Sequence, residues 1–124
     1  MLKKFTIVPS EDAEQAMFVA WMKLKGIRYY AIPNGAFKSM REALKFKATG
    51  LISGVPDICI PIPSGDYHGL YIELKRKKGG VVSKNQAEWL NFLRAQGYYA
   101  DIAKGFDEAR DIVALYLAFT PRAA

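Results

Sequence analysis

Asp57, Glu73 and Lys75 are the residues whose types and spacing can do chemistry in this sequence. They lie within residues 54–75, GVPDICIPIPSGDYHGLYIELK. There Ile58, Ile60 and Ile62 alternate with Asp57, Cys59 and Pro61, and Leu70, Ile72 and Leu74 alternate with Tyr71, Glu73 and Lys75. Period-two patterning on both sides of a Pro/Ser/Gly/Asp cluster predicts two strands joined by a turn. A hairpin centred on Gly65 sets Ile58 opposite Ile72, Cys59 opposite Tyr71 and Asp57 opposite Glu73. Two carboxylates then share one face of the sheet with Cβ atoms about 4.5–5.5 Å apart. Lys75 follows one pleat further along that face, at a rise of roughly 3.3 Å per residue. Like charges so placed destabilise a sheet unless something cationic joins them. Mg²⁺ is held by one or two carboxylates together with phosphate oxygens. The stretch therefore predicts a site for Mg²⁺, with Mn²⁺ as its substitute, facing a phosphate.

Other elements must position this hairpin. Ser10 followed by Glu11 and Asp12 marks a helix start, with acids in the first turn complementing the helix dipole. Ala13, Ala16, Met17, Ala20, Trp21 and Leu24 recur at helical spacing as the expected core stripe, and Gly26 ends the helix. Glu11, Gln15, Phe18 and Met22 form a second stripe, expected to be sandwiched or to meet a partner subunit. Residues 27–33 predict a strand broken at Asn34-Gly35, and residues 37–49 a short basic helix. After the hairpin, residues 76–80 make a basic connection. Ser83 and Gln86 then form a capping box that opens a helix burying Ala87, Leu90 and either Leu93 or the stem of Arg94. Residues 98–103 predict a strand and residues 106–118 a last helix, with Ala109, Ile112, Val113, Tyr116 and Leu117 inward; residues 120–124 are expected to fray. This order of elements predicts an α/β fold, a mixed central sheet flanked by helices, in one domain covering residues 1–124.

Length and composition agree with that expectation. A chain of 124 residues with 51% hydrophobic and 24% charged residues supports one core and excludes global disorder. No apolar run approaches the roughly 20 residues needed to span a bilayer, and the basic start of the chain is too short in apolar residues for a signal peptide. The single Cys59 cannot form an intramolecular disulfide, so a cytoplasmic setting is expected and Cys59 is assigned to packing. A net charge of +6 suits nucleic acid as a partner. Lys45, Lys47, Arg76, Lys77 and Lys78 flank the motif as candidates for tracking phosphates, with Ser83 and Lys84 at a helix N-terminus. His68 is expected on the surface. Tyr29, Tyr30, Tyr98 and Tyr99 are expected to pack in the core or on the sheet.

Pro56-Asp57, fifteen intervening residues and Glu73-Leu74-Lys75 resemble the motif of the PD-(D/E)XK phosphodiesterases, which have a restriction-endonuclease-like core. More closely, the chain resembles the VRR-NUC (virus-type replication-repair nuclease) family over residues 11–103. The resemblance rests on Glu11 with Gln15, Gly50-x-x-x-Gly54-x-Pro56-Asp57, Ile72-Glu73-Leu74-Lys75 and Ser83-x-x-Gln86. It implies a metal-dependent endonuclease with Asp57 and Glu73 as metal ligands, Glu11 approaching the ion from the first helix, and Gln86 pointing at the active site. Glu14 is the rival to Glu11. Lys75 would orient the attacking water and offset charge in the transition state. Members of the family act on four-way junctions and flaps. The expectation is therefore a homodimeric Holliday-junction endodeoxyribonuclease in a bacterial or phage-infected cell. The alternatives are a flap or single-strand nuclease of the same fold, and a protein that binds structured nucleic acid without cutting it.

Overall fold

A computed structural model describes residues 7–33 and 37–119. The expected break at Asn34-Gly35, the basic N-terminal start and the tail at residues 120–124 lie outside the described residues. In chain order the elements are α1 (Glu11–Lys25), β1 (Tyr30–Ala31), α2 (Met40–Ala48), β2 (Ile58–Ile60), β3 (Leu70–Lys75), α3 (Lys84–Ala95), β4 (Tyr99–Lys104) and α4 (Phe106–Leu117). The four strands form one sheet in that order. β1–β2 and β2–β3 are antiparallel, while β3–β4 is parallel because α3 carries the chain across. The fold is α/β with a mixed sheet, as the element order predicts.

The alternation in the hairpin sorts its residues onto two faces. Ile58, Ile60, Leu70, Ile72 and Leu74 share a core with Phe18 and Met22 of α1 and with Ala109, Val113 and Tyr116 of α4. Tyr71, on the opposite parity, packs with Ala100, Ile102, Leu90 and Leu93, the last two from α3. Helices therefore cover both faces, α1 and α4 on one and α3 on the other. The register pairs Ile58 with Ile72 and Cys59 with Tyr71, the pairing expected for a hairpin centred on Gly65.

Several faces differ from expectation. On α1 the buried residues are Glu14, Phe18 and Met22, whereas Ala13, Ala16, Met17, Ala20 and Leu24 are exposed and Trp21 is half-buried. Alanine favours helix wherever it stands and buries little area, so three alanines gave the wrong stripe its weight. On α3, Ala87 faces solvent and Leu93, not the Arg94 stem, is buried with Leu90. Leu117 of α4 is likewise exposed. The strand expected over residues 27–33 shrinks to Tyr30–Ala31, because β2 offers only three residues to pair with.

The starts of α1 and α4 are tied together by a buried carboxylate. α4 begins at Gly105, which has no side chain to cap the helix. Glu14 performs that role from α1: the Phe106 backbone N–H donates to its Oε2 at 2.5 Å. Lys77 Nζ stands 3.8 Å from Glu14 Oε1. A Cβ at position 105 would lie 2.7 Å from the Lys77 side chain and 3.3 Å from Glu14, so glycine makes the close approach possible. Replacing Glu14 by Ala strands a partly buried N–H and leaves a void. Urea unfolding should show a loss of about 1–3 kcal/mol; an unchanged midpoint would mean that this cap adds nothing to stability.

Candidate metal centre

The site is assembled where the hairpin, α1 and α3 meet. Asp57 lies immediately before β2. Its backbone oxygen accepts a hydrogen bond from the Ile32 N–H at 2.7 Å, and its Oδ2 accepts one from the Leu74 N–H at 2.8 Å. The side chain thus continues the ladder beyond the last paired residue of β2. Gly54 brings this approach close to α3. With φ at +94°, and with a Cβ there falling 2.7 Å from the backbone of Asn85, only glycine fits.

Glu73 is 1% exposed, in the middle of β3. Gln86 holds it from α3, its Nε2 donating to Glu73 Oε1 at 2.9 Å. The same Gln86 completes the capping box: its Oε1 accepts from the Ser83 N–H at 2.9 Å while the Ser83 Oγ accepts from the Gln86 N–H at 3.2 Å. The structural and the site-facing roles of Gln86 therefore coexist in one rotamer. Lys75 Nζ lies 3.6 Å from Glu73 Oε1 and is itself buried. Glu11, half-buried in the first turn of α1, completes the group. One carboxylate oxygen from each of Glu11, Asp57 and Glu73 lies within 4.8 Å of the other two. Glu14, the rival helix carboxylate, instead faces α4.

Electrostatics mark Glu73 and Glu11 of this group. Burial, then the Asp57 carboxylate, push the Glu73 carboxyl up to about 8, and Lys75 opposes that rise only in part. The Glu11 carboxyl is raised for the same two reasons in the same order. Glu73 Oε2 is buried and receives no hydrogen bond. Three clustered carboxylates, one of which has a buried oxygen with no hydrogen-bond donor among the described residues, fit a hard divalent cation such as Mg²⁺ or Mn²⁺. The cluster could hold one.

The other candidates are more dispersed. Lys45 and Lys47 are exposed on α2, and Arg76 and Lys78 are exposed in the turn after β3. Lys77 lies 3.8 Å from both Glu14 and Asp107. Ser83 spends its hydroxyl and its N–H within the capping box, and Lys84 reaches Glu88 at 3.9 Å. His68 packs edge-on against Tyr98 at the surface, and Cys59 is buried. Trp89 and Phe92 are expected from the sequence only to lie alongside the buried residues of this helix, with no functional role; Trp89 is half-buried and Phe92 is exposed.

The raised Glu73 carboxyl has a consequence for stability. Without metal, the folded state keeps the Glu73 proton up to about pH 8, whereas the unfolded chain releases it near 4.5. The folded state binds more protons across that window, so stability is greatest below it and is lost as pH rises from about 5 to 8. Thermal unfolding in EDTA should show this decline. Glu73→Gln should flatten it, and Mg²⁺ or Mn²⁺ should counter it by binding the ionised form. A melting temperature in EDTA that rises over this window would contradict the assignment.

Comparison with known proteins agrees with the geometry. The model of the VRR-NUC domain family matches residues 7–107. A solved VRR_NUC domain protein superposes with a TM-score of 0.79 over 93% of each chain, at 29% sequence identity. No curated protein matches the chain. The chain belongs to the VRR-NUC family, which implies a nuclease-type function.

Proposed function

We propose that this protein is a Mg²⁺- or Mn²⁺-dependent endodeoxyribonuclease that hydrolyses phosphodiester bonds in branched DNA, a Holliday-junction resolvase working as a homodimer. The observation that carries the reading is Glu73 Oε2, a buried carboxylate oxygen without a donor, set among three carboxylates and beside an ammonium group.

Glu11, Asp57 and Glu73 would hold the ion, which would supply Lewis-acid polarisation of the phosphate and a nucleophile at neutral pH. The remaining residues act around it. Gln86 fixes Glu73 Oε1 and so determines where Oε2 points. The Leu74 N–H, donating to Asp57 Oδ2, fixes the direction of that carboxylate. Lys75 orients the attacking water and offsets negative charge gathering on the phosphoryl oxygens. Lys45, Lys47, Arg76 and Lys78 are exposed cations that can engage phosphates at a distance from the cut. Contacts of that kind select DNA by shape rather than by base sequence, which favours a branched substrate.

Apolar residues left exposed on α2 and α1 support the homodimer. Met40 and Leu44, one turn apart on α2, are 76% and 61% exposed, and no residue of α2 is buried. Leu24 on α1 is 83% exposed. A second copy covering such faces would bring two sites to one junction, as paired cuts require.

The test is a cleavage panel in Mg²⁺ and Mn²⁺ comparing a four-way junction, a flap, a single strand and linear duplex. Paired nicks on the junction are expected, with Lys75→Ala slowing kcat about 10²–10³-fold. Calorimetry should record metal uptake by the wild type and none by Asp57→Ala. DNA binding without metal uptake or cutting would leave a non-catalytic binder, and preferred cutting of flaps or single strands would replace the junction reading. Elution of a monomer from gel filtration at micromolar concentration would remove the homodimer.

A further inference from the structure

On the flank of α3 next to the metal centre lies a cavity of about 460 Å³ lined by Ile52, Ser53, Asn85, Glu88, Trp89 and Phe92. We infer that this cavity receives an unpaired nucleobase of the DNA being cut, an inference that rests on the nuclease reading above. Its size falls within the range of small-ligand pockets, about 300–1,000 Å³.

Position is the first argument. Asn85, Glu88, Trp89 and Phe92 are spaced along one side of α3, and Asn85 is the immediate neighbour of Gln86, which holds Glu73. The opposite wall, Ile52 and Ser53, belongs to the segment that runs through Gly54 into Asp57. Gly54 presses against the backbone of Asn85 so closely that a Cβ would not fit. The cavity and the metal centre thus draw on the same two segments of chain, through neighbouring residues. A nucleotide bound through its phosphate at the carboxylates has its base directed to one side or the other, and on this side a cavity stands ready.

Chemistry is the second. Trp89 and Phe92 meet edge to face with centroids 5.6 Å apart. Phe92 is 53% exposed and Ile52 is 54% exposed. These are apolar surfaces left in water, of the kind on which bases stack irrespective of sequence. The polar groups at the cavity suit a base edge and not a phosphate. Glu88 repels a phosphate but accepts from an exocyclic amino group, and Asn85 and Ser53 can both donate and accept. The Glu88–Lys84 ion pair is long, at 3.9 Å, and lies between exposed side chains, so it competes weakly for that carboxylate. A base within a duplex has its faces covered by its neighbours, so only an unstacked nucleotide can enter. Such nucleotides occur at branch points, frayed ends and single strands, and the cavity therefore adds a preference for them to the shape selection by phosphate contacts.

The probe is a short duplex carrying one 2-aminopurine, either unpaired at a flap base or fully paired, titrated with the protein in Ca²⁺ in place of Mg²⁺, so that an ion is present at the carboxylates while cutting is suppressed. Emission of the unpaired probe should fall several-fold on binding. Phe92→Ala should weaken its binding about 5- to 150-fold, the loss of one base–aromatic stack, while the paired probe binds both proteins alike. Phe92→Tyr should restore binding, and circular dichroism melting of each variant checks that the fold is retained. Unchanged emission, equal losses for paired and unpaired probes, or a Phe92→Ala protein that changes from dimer to monomer would overturn the inference, the last by making the cavity a contact between copies. A wild type that cuts DNA in Mg²⁺ without quenching the probe refutes the base site and leaves the nuclease. Quenching without cutting in Mg²⁺ or Mn²⁺ supports the base site and refutes the nuclease.

Discussion

Two buried carboxylates brought together where an antiparallel strand pair ends cannot both carry charge unless something positive stands with them. Asp57 and Glu73 are in that position, and the surrounding structure holds them there. Asp57 is pinned by hydrogen bonds to its backbone and to its side chain. Glu73 has the Gln86 amide of a helix on one oxygen and no hydrogen-bond donor among the described residues on the other. Lys75 gives part of the compensation, insufficient to return the Glu73 carboxyl to its ordinary range. The arrangement is costly for a folded protein standing alone and favourable for one that binds a cation. Such local conflict is a common mark of a functional site.

Support for the conflict comes from both faces of the sheet. On one face α1 and α4 pack on the apolar parity of the hairpin, and their starts are joined by Glu14. Glu11 is three residues before Glu14, so the contact that locks Glu14 to α4 also limits how far α1 can rotate about its axis. On the other face α3 closes over Tyr71 and delivers Gln86 to Glu73. The third carboxylate and the amide thus arrive from opposite layers at one end of the sheet. Neither would be placed by the hairpin alone.

Much of this was legible in the sequence because it is local. Period-two alternation on either side of a turn cluster fixes which side chains share a face, and one turn fixes the register; the observed pairing of Cys59 with Tyr71 follows. The capping box at Ser83 and Gln86 is a spacing rule and was equally visible. The buried face of α1 was not. Its alanines mimic a core stripe, while the residue that decides the orientation, Glu14, looks like one more acid in a first turn. Its partner is a backbone N–H separated from it by 92 positions. A backbone donor leaves no trace in residue types, so no pattern could have pointed to it. The cavity between α3 and residues 52–53 was hidden for a related reason, since its walls meet only after the parallel crossover has been made.

Gln86 uses both ends of its side chain at once, the oxygen on the Ser83 N–H and the nitrogen on Glu73. Helix ends are ordinarily the first parts of a protein to breathe, and their brief openings are usually of no account. Here the opening of the first turn of α3 also lets go of a buried acid in the middle of the sheet. Breathing at this helix end and slackening of the acidic cluster are therefore one motion, and whatever steadies either one quiets the other.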